Sequence, residues 1–127
     1  HDFSIESDVL GDITDSILSS QNALILVMYD LSKSNKDALQ KVDTLVKDLS
    51  SQKVSVAVIS ATTEEQMLTI QVENGVSFPF YFTDETTLKT IVRSNPGVLW
   101  LQEGVIVNKW HHNDLPSSKE LINQYLN

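Results

Sequence analysis

No cysteine occurs among the 127 residues. That excludes disulfides, a thiol nucleophile and any Cys-based metal site, and leaves the redox compartment unreadable from this chain. Positive charge is also scarce: 9 Lys and Arg stand against 17 Asp and Glu, for a net charge of −8. The basic residues are scattered and no two are adjacent. Nucleic acids and anionic bilayers need clustered bases, so neither is an expected partner. Long apolar runs are missing too. The longest, from Ala23 to Tyr29, has the length of a buried strand and falls well short of the ~18 residues that mark a membrane span. There is no signal-peptide or transit pattern. The chain opens at His1 rather than Met, so an excised or processed piece of a longer protein is expected.

What is present is globular: 41% of the residues are apolar, in a length that suits one domain, residues 1–127. Phe3-Ser4-Ile5 alternates like a short edge strand, and Asp8 or Asp12 can cap a first helix with Leu10, Ile13 and Ile17 on one face. Ala23 to Tyr29 is continuously apolar and reads as a central strand buried on both faces. Ser34 with Asp37 resembles a capping box for a helix that carries Leu39, Val42, Val46 and Leu49 inward, with Lys and Asp opposite. Val54 to Ile59 is a second strand. Thr62 with Glu65 looks like a second box, for a helix stopped at Asn74-Gly75. Phe78 to Phe82 is a short aromatic strand, and Asp84 caps a helix with Leu88, Ile91 and Val92 inward. Ser94-Asn95-Pro96-Gly97 then feeds a hairpin turning at Glu103-Gly104. Ser117 with Glu120 opens a last helix with Leu121, Ile122, Tyr125 and Leu126 apolar. Alternating strands and helices of this kind predict an α/β layer fold with helices on both faces of a mixed sheet.

This order, with Ser94 to Ile106 as a Pro loop, strand, X-Gly turn and strand, resembles the thioredoxin fold, a three-layer sandwich whose cis-Pro loop precedes a C-terminal hairpin and terminal helix. Ser77 to Glu85 is similar to the "FP-strand-D" element of redoxins of the peroxiredoxin and TlpA type. More narrowly, Tyr29 to Ser34, Phe78 to Asp84 and Lys109 to Pro116 resemble the soluble thioredoxin-like region of DoxX-family membrane proteins from Bacteroidetes. That resemblance implies a parent with a membrane-embedded part and a location on the periplasmic side of a bacterial membrane, the cytoplasmic side remaining open. The isolated domain itself would not insert.

The departure from the family is chemical. A thioredoxin-type oxidoreductase needs a low-pKa thiolate and a resolving thiol where its first long helix begins. Here that position falls within Ser32-Lys33-Ser34-Asn35-Lys36-Asp37. A Ser hydroxyl forms no disulfide, and peroxidase chemistry also needs a Cys. Thiol chemistry is therefore excluded. No catalytic residue, metal or cofactor is assigned.

What the resemblance leaves is a shelf of two loops: Asp30, Ser32, Lys33, Ser34 and Asn35 opposite Ser94, Asn95 and Pro96. A cis-Pro loop can present backbone groups to an extended peptide, or it can simply set a turn. The helix start could receive an anion or carbonyl, or be closed by ordinary capping. The expected function is a redox-inactive binding or accessory domain for a protein or peptide partner. Two other readings stand against it. One is a non-thiol metal-dependent enzyme or metal-binding site using His111, His112 and Asp114, although adjacent His residues on an extended chain point apart. The other is a purely structural or oligomerisation domain. A hydrolytic triad built on Ser32 or Ser34 lacks its elbow motif. Trp100, Trp110, Tyr81 and Phe82 read first as core or hairpin packing, with Trp110 beside His111 a contact patch if exposed.

Overall fold

Seven residues, Asn22–Met28, form the central strand β1, and the rest of the sheet is laid out from it. The computed structural model describes residues 20–28, 35–78, 80–82, 84–86, 97–111 and 114–126. Helix α1 (Lys36–Ser50) returns the chain to β2 (Ser55–Ser60), which pairs parallel to β1 with Leu24 opposite Val56 and Leu26 opposite Val58. Helix α2 (Glu64–Asn74) leads to a two-residue edge strand β3 (Tyr81–Phe82), parallel to β2. Strands β4 (Val98–Gln102) and β5 (Val105–Trp110) form an antiparallel hairpin, and β4 pairs antiparallel to β1. The order is β3-β2-β1-β4-β5, a mixed sheet. One α-helical turn, α3 (Ser118–Leu121), closes the chain and widens into a π-helical stretch, Ile122–Leu126.

The continuous apolar run of β1 is explained by burial on both faces. Leu24 and Leu26 join one cluster with Val58, Val98 and Trp100, and with Leu39, Val42, Leu45, Val46 and Leu49 of α1. Met67 and Ile70 of α2 and Leu121 of α3 belong to the same cluster. Ala23, Ile25 and Val27 point the other way, into a second cluster with Ala57, Ile59, Leu99 and Leu101. This is the period-2 alternation of a strand with an apolar layer on each side. The described helices all pack in the first cluster. The strand expected at Phe3-Ser4-Ile5 and the helix expected from Asp8 lie outside the described residues, as does most of the helix expected after Asp84.

The hairpin turn sits at the predicted residues. Glu103 and Gly104 have φ of 51° and 81°, the positive values a two-residue type I′ turn demands. The Glu103 N–H donates to Gln21 O at 3.2 Å, which ties the turn to the start of β1. Leu101 pairs with Ile106 but Trp100 pairs with Asn108, so Val107 is an extra residue in β5. A bulge on an edge strand twists it and spoils the template for further pairing.

Several local assignments move by one residue. Helix α1 is capped by Asn35, whose Oδ1 accepts the Ala38 N–H at 2.7 Å. With Asn35 in that role the third helical position is Ala38, so the Ser34–Asp37 box is not the cap. Helix α2 is capped by Thr63 in a full box: Thr63 Oγ1 accepts from Gln66 N, and the Thr63 N–H donates to Gln66 Oε1. Thr62 is instead buried, its hydroxyl 2.8 Å from that of Ser60. Ser117 does cap α3 by accepting the Glu120 N–H, but the Ser117 hydroxyl also donates to Glu120 Oε1. Gly75 ends α2 with φ 65°, a conformation that favours Gly.

Two side-chain placements depart from the sequence reading. Asp43, expected on the solvent side of α1, is buried. Tyr81 and Phe82 are about half exposed rather than packed, because β3 is a two-residue strand that, among the described residues, has β2 as its one neighbour. Trp100 is fully buried, stacked on Tyr125 with ring centroids 4.7 Å apart and planes 13° apart. Trp110 is half-buried against the same cluster and is no open aromatic patch.

Candidate functional site

In the proposed shelf, Asn35 is the residue the structure describes. Asp30, Ser32, Lys33 and Ser34, and Ser94, Asn95 and Pro96, lie outside the described residues, and the cis-Pro expectation lies with them. What is described is the frame on which both segments are carried. Strand β1 ends at Met28 and α1 begins at Lys36. Gly97 precedes β4, and its carbonyl accepts the Val27 N–H at 2.7 Å. In the ladder, Leu26 stands opposite Val98. The chain thus leaves β1 and enters β4 at one end of the sheet, on neighbouring strands, although some 70 residues separate Val27 from Gly97 along the chain.

At the helix start the chemistry is partly spoken for. The Asn35 side chain takes the Ala38 N–H, one of the orphan donors an anion would need. Asp37 places a carboxylate in the same first turn, where it complements the helix dipole and opposes a second negative charge. Lys36, the first residue of the same turn, offsets that charge.

One helical turn further on, α1 borders a shallow groove of about 290 Å³ lined by Asp37, Gln40, Lys41, Thr44, Leu45, Pro116, Ser117 and Ser118. Leu45 and Pro116 are its buried apolar members. Lys41 Nζ spans to Leu115 O at 2.9 Å, and the Ser118 hydroxyl donates to Asp48 at 2.7 Å. These bonds tie α1 to the segment entering α3.

The strongest polar anchor is one the sequence reading missed. Asp43 Oδ1 accepts the Ser77 N–H at 2.9 Å, and Oδ2 lies 2.8 Å from Lys47 Nζ. Burial is the largest single influence on this carboxyl and pushes its pKa up. Hydrogen bonds from Lys47, Ser77 and Phe78, with the Lys47 charge, together outweigh it and hold the group below its ordinary value. Asp43 fastens α1 to the stretch after α2. No sequence spacing signals it, because the nearer of its backbone partners, Ser77, lies 34 residues away.

His111 follows β5, and its carbonyl accepts the Asp114 N–H at 2.8 Å. His112 lies outside the described residues. Among the described residues no three His, Cys, Asp or Glu side chains cluster so as to hold a metal ion. None of the described helices is long and apolar enough to cross a membrane.

No protein-family model matches the sequence, and no curated relative matches it. Solved structures do resemble it. One is a thiol:disulfide interchange protein from Bacteroides sp., with a TM-score of 0.64 at 12% identity over 89% of this chain and 76% of that one. Another is the thioredoxin domain of a thiol-disulfide oxidoreductase from Bacteroides vulgatus, with a TM-score of 0.63 at 12% identity over 87% and 82% of the two chains. At such identity the likeness speaks for fold alone. The chain has a thioredoxin-like α/β fold, and with no cysteine it holds no thiol for disulfide exchange.

Proposed function

We propose that this is a redox-inactive binding or accessory domain. It engages an extended peptide segment of a protein partner through the loop before α1 (Asp30, Ser32, Lys33, Ser34, Asn35) and the loop before β4 (Ser94, Asn95, Pro96). The observation that carries the reading is the Val27 N–H to Gly97 O bond. It fixes the flanks of both loops on adjacent strands at one end of the sheet, the place where open α/β sheets receive ligands. The fold resembles that of proteins named for thiol–disulfide chemistry, yet the thiols are absent. Binding is what such a scaffold retains when its nucleophile is gone.

The test is a fluorescence-polarisation screen of extended synthetic decapeptides against the folded domain. Binding sequences are expected, and their affinity falls about tenfold or more in Asn95→Ala/Pro96→Ala with the unfolding midpoint unchanged. Equal binding by that variant refutes the surface. Absence of any binding peptide refutes the peptide reading. In parallel, the domain should reduce insulin no faster than buffer in the presence of dithiothreitol.

The resemblance of Tyr29 to Ser34 and Lys109 to Pro116 to DoxX-family regions supports a second part of the proposal. The domain belongs to a larger membrane-attached protein and faces the periplasm. The parent reading frame tests this, through apolar spans whose flanking Lys and Arg give the orientation.

A further inference from the structure

Helix α2 is apolar on two sides. Met67 and Ile70 face the core, while Leu68 and Val72, one turn apart on the outer side, are 59% and 84% exposed. Helix stability does not call for them, since Val is a poor helix former and a Lys or Gln would serve better at a solvent position. The charge around the pair has one sign. Exposed Glu64 and Glu65 stand one turn before Leu68, exposed Glu73 follows Val72, and α2 has no Lys or Arg. Residues 54–86 as a whole contain no base. Glu64 and Glu65 complement the dipole at the N-terminal turn, but Glu73 lies in the last turn, beside the negative end of the helix, where a cation is preferred. The outer side of α2 is thus an apolar pair in an acidic rim that its own helix leaves uncompensated.

We propose that this outer side of α2, a different element from the loops discussed above, docks a basic amphipathic helix of a partner protein. Leu68 and Val72 would meet its apolar stripe, and Glu65 and Glu73 its Lys or Arg flanks. Charge decides among occupants. A second copy would set acidic rim against acidic rim between chains of net charge −8, and an anionic bilayer would be repelled in the same way. A basic segment gains at both the apolar centre and the rim.

The probe is a synthetic amphipathic helical peptide with Leu on one stripe and Lys flanking it, set against a counterpart with Glu for Lys, measured by isothermal titration. The Lys peptide should bind and the Glu peptide should not, and binding should weaken as ionic strength rises past ~0.1 M. Leu68→Gln/Val72→Gln should weaken it about tenfold or more without lowering the melting temperature, since both positions are solvent-exposed. Glu65→Lys/Glu73→Lys should abolish the preference for Lys over Glu. Equal binding of the Lys peptide to wild type and the Gln variant overturns the proposal, as does no binding at low salt. A dimer in sedimentation velocity that Leu68→Gln/Val72→Gln dissolves makes a second copy the occupant and also overturns it. So does co-sedimentation with phosphatidylserine vesicles that the same variant loses.

Discussion

Removing the Asp43 carboxylate should be among the most damaging single changes available to a polar residue of this chain. In Asp43→Ala the Ser77 and Phe78 N–H groups lose a charged acceptor in a partly buried setting. Hydrogen bonds to charged groups contribute roughly 1.5–3 kcal/mol, and stranding a buried donor costs about 1–3 kcal/mol. These overlap rather than add, so a loss of about 3 kcal/mol is expected, or roughly 10 °C in melting temperature for a domain of this size. Lys47→Ala removes the other partner, but the Lys47 side chain is 64% exposed, so its share should be at most about 1 kcal/mol. Asp43→Asn should fall between, its amide oxygen keeping one backbone bond. Because the folded pKa is lowered, the carboxylate's contribution is fully present above the ordinary Asp value. It is lost as pH falls through the folded value. Urea unfolding followed by circular dichroism at neutral pH and at progressively lower pH measures both effects. Wild type and Asp43→Asn should converge in acid. If Lys47→Ala costs as much as Asp43→Ala, the surface ion pair and not the backbone anchor holds α1 to residues 76–78, and the reasoning fails.

Two further outcomes are expected. Trp100 Nε1 is a buried donor that finds no partner among the described residues, so Trp100→Phe, which deletes it, should cost less than about 2 kcal/mol, against roughly 3–5 kcal/mol for Trp100→Ala. Thermal melts with near-ultraviolet dichroism of the Trp100–Tyr125 stack check this, and equal losses would refute it. Gly75→Ala should destabilise by about 1 kcal/mol although open space surrounds the position, because φ of 65° strains any residue with a Cβ. Chemical denaturation measures it, and an unchanged midpoint would mean that the helix end relaxes.

Most of the element order was legible because it rests on local periodicity. The run from Ala23 read as a strand with apolar layers on both sides, and Glu103-Gly104 as a turn between two strands, and both stand in the structure. The caps were legible in kind but not in position. Ser34 and Asn35, and Thr62 and Thr63, are adjacent residues that can both cap, and local pattern does not choose between them; in the second pair the fold buries Thr62 and leaves Thr63 to cap. The buried Thr62 hydroxyl meets that of Ser60 instead.

The sequence by itself determined the chemistry this protein cannot do, since an absent thiol is absent in any fold, and the alternation of strands and helices that a thioredoxin-like sheet requires. Tertiary structure alone decided three other things. Asp43 turned inward because the N–H groups that satisfy it arrive from a segment 34 residues distant. Leu68 and Val72 faced out because Met67 and Ile70 claimed the core. The exit of β1 and the entry to β4 became neighbours because the antiparallel ladder between them sets Val27 beside Gly97. Each depends on a contact between residues far apart in the chain, and local pattern carries no record of such a contact.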